Sequence, residues 1–271
     1  MVKVTNVDAP YSGSIRILSL NRPKARNALS RELLAQLNSE ISAARYDGSK
    51  GSLKALIIAS DVDNCFCAGA DLKERQQFTH DETKVFLSYL RSAFNVLASL
   101  PIPTISAIAS NAFGGGLELA LCTKMRVFGS SARVGLPETR LGIIPGAGGT
   151  YRLPMIVGPQ HARDLILTGR QVSGPEAYFL GLCDRLVEIT PEEAQQEGVA
   201  RQKVLDEAIK LATVIAEGAP LAIKAALQAV DGWQGAEQNE IECYEKVLTT
   251  EDRDEALSAF VMKRKPVFKG K

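Results

Sequence analysis

The sequence predicts an α/β core followed by a helical C-terminal region, on three observations. Strand and helix patterns alternate through the first half of the 271-residue chain. From about residue 159 onward strands nearly vanish and helical periodicity takes over. No linker rich in Ser, Gly or Pro separates the two parts, so a core with a helical extension fits better than two independent cores. The division is placed at 1–200 for the core and 201–271 for the extension. A chain of this length can bury a large core.

Residues 15–20 read as a strand. Residues 30–44 are helical, with Leu33, Leu34, Leu37 and Ile41 on one stripe. Residues 53–59 form a near-continuous apolar run, the pattern of a strand buried on both faces. Residues 81–100 make a second amphipathic helix carrying Phe86, Leu90, Phe94 and Leu97, stopped by Pro101 and Pro103. Short strands follow at 104–109 and 125–128, with a helix at 115–121 between them. Later, Ser173-Gly-Pro-Glu176 is a capping-box pattern with proline in the first turn. Helices are expected at 192–217, 221–230, 234–248 and 253–263, with one strand at 184–188. No regular internal repeat is visible.

Composition narrows the function. Hydrophobic residues make up 45% and charged ones 23%, with a net charge of +1. No field of the strength that nucleic acid or an anionic membrane would require stands out. No apolar run approaches the roughly 20 residues of a spanning helix, so no membrane partner is expected. The first eleven residues have the pattern of neither a secretory signal nor an arginine-rich transit peptide, although a processed presequence could already have been removed. Five cysteines, an odd number scattered among apolar residues, point to reduced buried thiols. Cys65-x-Cys67 has no second Cys or His pair to complete a metal site.

Two glutamates stand in unusual company. Glu118 lies in Gly114-Gly-Gly-Leu-Glu-Leu-Ala120 and Glu138 in Gly135-Leu-Pro-Glu138. An ionised carboxylate is costly to bury, so apolar, glycine-rich flanks suggest carboxyls facing a partly dry cavity. Such a setting raises carboxyl pKa values and prepares a pair for acid–base work. Gly114–Gly116 reads equally as a helix N-terminus facing a polarised oxygen or as tight packing. Gly146-Ala-Gly148-Gly149 fails as a dinucleotide fingerprint because Tyr151 stands where glycine is needed, and no Walker A lysine follows any glycine cluster. Only His80 and His161 exist, both in surface-like settings, and no Gly-x-Ser-x-Gly elbow is present. The segment Cys67-Ala-Gly-Ala70-Asp-Leu72-Lys73-Glu74 could admit a ligand close to its backbone or be an ordinary strand-to-helix turn.

Taken together these segments resemble the crotonase, or enoyl-CoA hydratase, family. The resemblance rests on Asn21-Arg-Pro-Lys-Ala-Arg-Asn27-Ala-Leu29, Phe66-Cys-Ala-Gly-Ala-Asp-Leu-Lys-Glu-Arg75, Gly114 to Ala120, and Pro137-Glu-Thr-Arg-Leu-Gly-Ile-Ile-Pro-Gly-Ala-Gly-Gly-Thr150. It continues through Leu167-Thr-Gly-Arg170 and Ala259-Phe-Val-Met-Lys-Arg264, covering nearly the whole chain. The chain is most similar to the methylglutaconyl-CoA hydratase branch.

That resemblance implies a spiral of ββα units with a C-terminal helical region that builds homotrimers, commonly paired into hexamers. It implies backbone N–H groups of Ala70 and Gly115 as an oxyanion hole for a thioester carbonyl. Glu118 and Glu138 would hold one water, the first helping to deprotonate it and the second supplying the α-proton, with the Gly146 N–H helping to position it. Ala68 and Leu72 match backbone contacts to the adenine of coenzyme A, and Lys73 a phosphate contact. Phe260 and Lys263 match residues that reach a neighbouring subunit's ligand. Coenzyme A belongs to the substrate, and no separate cofactor or metal is implied.

The expected activity is hydration of the 2,3-double bond of a 2-enoyl-CoA, short or branched, including 3-methylglutaconyl-CoA, in fatty-acid or branched-chain amino-acid breakdown. A branched acidic acyl chain would need a basic residue at its far end, with Arg75, Lys84 and Arg91 as candidates. Rivals are another crotonase reaction (isomerisation, thioester hydrolysis or decarboxylation), an RNA-binding protein with secondary hydratase activity, and a multifunctional oxidation subunit, for which the chain shows no dehydrogenase domain. RNA binding is disfavoured, since Arg31 to Ile41 carries one basic and two acidic residues. Ala109-Ser110 and Lys124 depart from the family pattern near the Gly114 helix. In a eukaryote the mitochondrial matrix is expected; otherwise the cytoplasm.

Overall fold

A computed structural model describes all 271 residues. The elements run β1 (Val2–Asp8), β2 (Ser14–Leu20), α1 (Arg31–Lys50), β3 (Leu53–Ser60), β4 (Cys65–Cys67), α2 (Leu72–Arg75), α3 (His80–Ala98), β5 (Thr104–Ile108), β6 (Asn111–Phe113), α4 (Gly115–Ala120), β7 (Met125–Gly129) and β8 (Arg133–Gly135). They continue through α5 (Gly149–Thr168), β9 (Val172–Ser173), α6 (Gly174–Phe179), β10 (Arg185–Val187), α7 (Pro191–Gln195), α8 (Val199–Ala216), α9 (Pro220–Asp231), α10 (Ala236–Glu245) and α11 (Glu251–Val261).

The strands form a six-stranded sheet in the order β1-β2-β3-β5-β7-β10 and a four-stranded sheet in the order β4-β6-β8-β9. Each pass of the chain lays one strand in the larger sheet and the next in the smaller: β3 then β4, β5 then β6, β7 then β8. A helix follows each pair, and this is the spiral of ββα units that the resemblance implies. The repetition lies in the backbone path. No sequence repeat accompanies it, because each unit packs against different neighbours.

The register explains the apolar run in β3. Leu56 and Ile58 point to one face, where they join Leu33, Leu37 and Ile41 of α1 and Phe94 and Leu97 of α3. Ala55 and Ile57 point to the other face, against Val204, Ala208 and Leu211 of α8. Alternate residues on a strand face opposite ways, so two covered faces require apolar side chains at nearly every position. The division expected at residue 200 falls in the first turn of α8, whose side chains close the second face of the core.

Several local expectations need correction. The helix expected at 192–217 is broken after Gln195: Gly198 lies at φ +79°, a conformation that does not propagate a right-handed helix, and α8 starts after it. The capping box expected at Ser173 is half formed. Its hydroxyl accepts from the Glu176 N–H at 3.3 Å, but the Glu176 carboxylate goes to Arg170 at 2.7 Å. Complete boxes occur at Thr79 with Glu82 and at Thr190 with Glu193. Strand β1, the smaller sheet and α5 are additions. Strands of two or three residues are too short to show a period, and Pro154 and Pro159 inside α5 mask its pattern.

Lys124 does not disturb the Gly114 helix. Its ammonium donates to the Ala98 carbonyl at 2.7 Å and pairs with Asp231, tying the end of α3 to α9.

Candidate active site

The Asn21–Leu29 segment braces the loop that follows β4. Arg22 pairs with Asp71 at 2.6 Å and donates to the Ala28 carbonyl at 2.9 Å. Asn27 is buried and donates to the Ser60 hydroxyl and the Phe66 carbonyl, both at 2.9 Å. Leu29 then bonds to both neighbours of Ala70: its N–H donates to the Gly69 carbonyl at 2.7 Å and its carbonyl accepts from the Asp71 N–H at 3.1 Å. In a parallel bridge of this kind the residue between those two, Ala70, turns its own N–H the other way.

On that side lies the N-terminus of α4. Gly115 is its first residue, so its N–H is one of the donors that a helix cannot satisfy internally. A Cβ placed on Gly115 would lie 3.7 Å from the Ala70 nitrogen, which shows how closely the two amides approach. Gly116 permits that approach, since a Cβ there would sit 2.2 Å from the Cys67 carbonyl oxygen. Gly114 enters the helix at φ +52°, and a Cβ on it would meet a Glu138 carboxyl oxygen at 3.0 Å.

Both glutamates border one cavity of about 470 Å³ that also holds Ala68, Ala70, Gly115 and Gly146. The remaining wall is mostly apolar, with Leu72, Leu87, Leu90, Phe113, Ile143 and Ile144. Glu118 is 3% exposed and Glu138 8%. One oxygen of Glu118, Oε1, accepts from the Ala147 N–H at 2.7 Å and from the Gly149 N–H at 2.8 Å. Gly149 is the first residue of α5, so the helix dipole favours charge on this carboxylate. Glu138 Oε2 is buried and has no protein partner.

These surroundings separate the two carboxyls. Burial raises the pKa of Glu118, opposed by the two N–H donors and by the charges of Arg152 and Arg91. Burial pushes Glu138 up to about 7, and the nearby Glu118 charge adds to the effect. Glu118 is therefore the group prepared to ionise, and Glu138 the one that keeps its proton toward neutral pH.

This has a consequence for stability. Because the folded state binds the Glu138 proton more tightly than an unfolded chain near 4.5, that contribution is present below 4.5 and lost as pH rises through about 7. A Glu138→Gln variant lacks it. Its melting temperature should gain on that of the parent between pH 5 and pH 8, and an unchanged difference would show that burial does not strain this carboxyl.

Residues 11–271 match the enoyl-CoA hydratase/isomerase family. The chain belongs to that family. An enoyl-CoA isomerase/hydratase of Zymoseptoria tritici is 57% identical over 270 residues, covering 100% of this chain and 88% of the relative. Methylglutaconyl-CoA hydratase 1, mitochondrial, of Pyricularia oryzae is 54% identical over 306 residues, with 100% and 87% covered. The crystal structure of an enoyl-CoA hydratase from Bacillus anthracis superposes with a TM-score of 0.89 at 35% identity, covering 100% and 99% of the two chains. The fold is the crotonase fold, and the protein is an enzyme.

The other family positions are more dispersed. Ala68 and Leu72 lie at the exposed rim of the cavity, while Lys73 is exposed beside it and does not line it. Phe260, 85% exposed, and Lys263 sit at the end of α11 and do not line this chain's cavity. Of the three basic candidates, Arg75 and Arg91 reach the cavity. Lys84 instead pairs with Asp81 on the surface at 3.3 Å. The Ala147 and Gly149 donors to Glu118 were missed in the sequence. The run Gly146-Ala-Gly-Gly149 fails as a nucleotide motif and by resemblance supplies only a water-positioning N–H at Gly146, yet a glycine cluster opening a helix suits a carboxylate equally well.

Proposed function

We propose that this enzyme adds water across the 2,3-double bond of a 2-enoyl-CoA thioester. The observation that carries the reading is one cavity holding two buried carboxyls of unlike environment together with two backbone amides, of Ala70 and Gly115, that lie close to each other. In this reading Ala70 and Gly115 hold the thioester oxygen as negative charge develops on it. Glu118 takes a proton from water as the hydroxyl bonds to Cβ. Glu138 gives its proton to Cα, and the Gly146 N–H helps to hold the water. The net reaction adds H and OH without changing the overall oxidation level, so it calls for no redox cofactor, and the two carboxyls supply the proton transfers without a metal. The free enzyme should lose kcat/KM for hydration above about pH 7, where Glu138 loses its proton.

Coenzyme A would enter past Ala68 and Leu72, with Lys73 at its phosphates. Phe260 and Lys263 would complete a neighbour's site in a homotrimer or a hexamer of paired trimers. The mitochondrial name of the Pyricularia relative supports a mitochondrial location, and the matrix, with a role in leucine or fatty-acid breakdown, is the place this reading gives the enzyme.

The acyl group proposed is branched and carries a second carboxylate, as in 3-methylglutaconyl-CoA. Arg75 supports this: it borders the apolar cavity with its guanidinium 5.8 Å from the Phe86 ring centre, and pairs with no carboxylate. An unpaired cation beside apolar walls favours an anionic ligand. Purified protein should hydrate both crotonyl-CoA and 3-methylglutaconyl-CoA. Arg75→Met should lower kcat/KM for the acidic substrate by about 10- to 100-fold, the worth of a charged hydrogen bond, and leave crotonyl-CoA nearly unchanged. Equal losses on both substrates would remove Arg75 from recognition. Turnover of a 3-enoyl-CoA alone would make the enzyme an isomerase.

A further inference from the structure

Arg91 sits on the cavity face of α3, one turn after Leu87. Its Nε donates to the Gly146 carbonyl at 2.6 Å. That carbonyl belongs to the same peptide unit as the Ala147 N–H, which donates to Glu118 at 2.7 Å. A chain of two hydrogen bonds therefore runs from a guanidinium, through one peptide, to the carboxylate. The next carbonyl, of Ala147, is held by Arg152 at 2.9 Å, so both sides of the Ala147 residue are fixed by arginines.

We propose that Arg91 is a positioning residue for Glu118: its guanidinium orients the Gly146–Ala147 peptide so that the Ala147 N–H meets the carboxylate. The proposal rests on the reading of Glu118 as the base. A charge-assisted bond is short and strong, and it polarises the peptide it grips, making the N–H at the other end a better donor. Arg91 is exposed, so solvent weakens the direct field it exerts at Glu118, and the bonded route acts beside that field. The other ionisable groups facing Glu118 are Arg152 from α5, Glu138 from the turn after β8, and Cys122 just past the end of α4. Burial pushes the Cys122 thiol up to about 12, so it stays neutral and does not compete.

The test compares Arg91→Met, which keeps the stem but loses donor and charge, with Arg91→Lys. For Arg91→Met on crotonyl-CoA, kcat should fall by about 10- to 100-fold, the worth of a charged hydrogen bond, with KM nearly unchanged. Glu118 should also hold its proton to higher pH, moving the acid limb of the kcat profile upward. Arg91→Lys should restore both in large part. Infrared titration of the Glu118 carboxyl, identified by its loss in Glu118→Gln, reads the same shift without turnover. Unchanged titration in Arg91→Met overturns the proposal, as does a loss confined to KM. If the parent protein hydrates no enoyl-CoA, the reading of the reaction fails while the infrared titration still decides the role of Arg91.

Discussion

Glu118→Gln is expected to slow hydration of crotonyl-CoA by about 10²–10⁴ while KM stays near its original value, the pattern of a lost general base. The substitution isolates chemistry from folding for a geometric reason. Both N–H groups that hold Glu118 converge on a single oxygen, Oε1, from Ala147 at 2.7 Å and Gly149 at 2.8 Å. A glutamine amide oxygen placed there accepts both. The site keeps its shape and loses only its basicity. Thermal unfolding beside steady-state kinetics would confirm that separation. Glu138→Gln should be comparably slow, and the double variant should be far less impaired than the product of the two defects, as expected of carboxyls that act on one substrate as a unit. A Glu118→Gln enzyme within a few-fold of the parent would end the assignment.

Gly116→Ala should damage activity almost as severely through the backbone alone. In an unconstrained helix alanine is favoured over glycine by about 1 kcal/mol, so propensity predicts a more stable protein. Packing predicts the reverse. The added methyl would lie 2.2 Å from the Cys67 carbonyl oxygen and 2.8 Å from its carbon, and neither is a flexible side-chain end. Either α4 lifts or β4 retreats, at a cost of about 1–3 kcal/mol for overpacking. The Gly115 amide is on α4, and that of Ala70 is in the loop that leaves β4. Separating them should lower kcat by about 10²–10³ for each donor lost. The measurements are the melting temperature and kcat of the one variant. A stabilised, fully active protein would show that the two amides need not be held by this contact.

Much of this architecture could be read from the chain. The stripes of Leu33, Leu37 and Ile41 and of Phe86, Leu90 and Phe94 report buried helix faces, and those residues are buried in the core. The run in β3 reports two covered faces for the same reason. The smaller sheet escaped because β4, β6 and β8 are each three residues long and show no period. At the site, the apolar neighbours of Glu118 and Glu138 correctly announced buried carboxyls. They did not announce which carboxyl is held by amides and which is left with an unpaired oxygen.

By itself the sequence determined where side chains are buried, which segments are helical, and which family motifs the chain carries, because these depend on neighbours within a few residues. The tertiary structure decided how the two acids differ. Glu118 meets Ala147 and Gly149 across 29 and 31 positions, and Arg91 meets Gly146 across 55. Hydrogen bonds depend on distance and angle at the level of tenths of an ångström. Periodicity along a chain carries no record of such contacts, so only the folded backbone could set the acidity of each carboxyl.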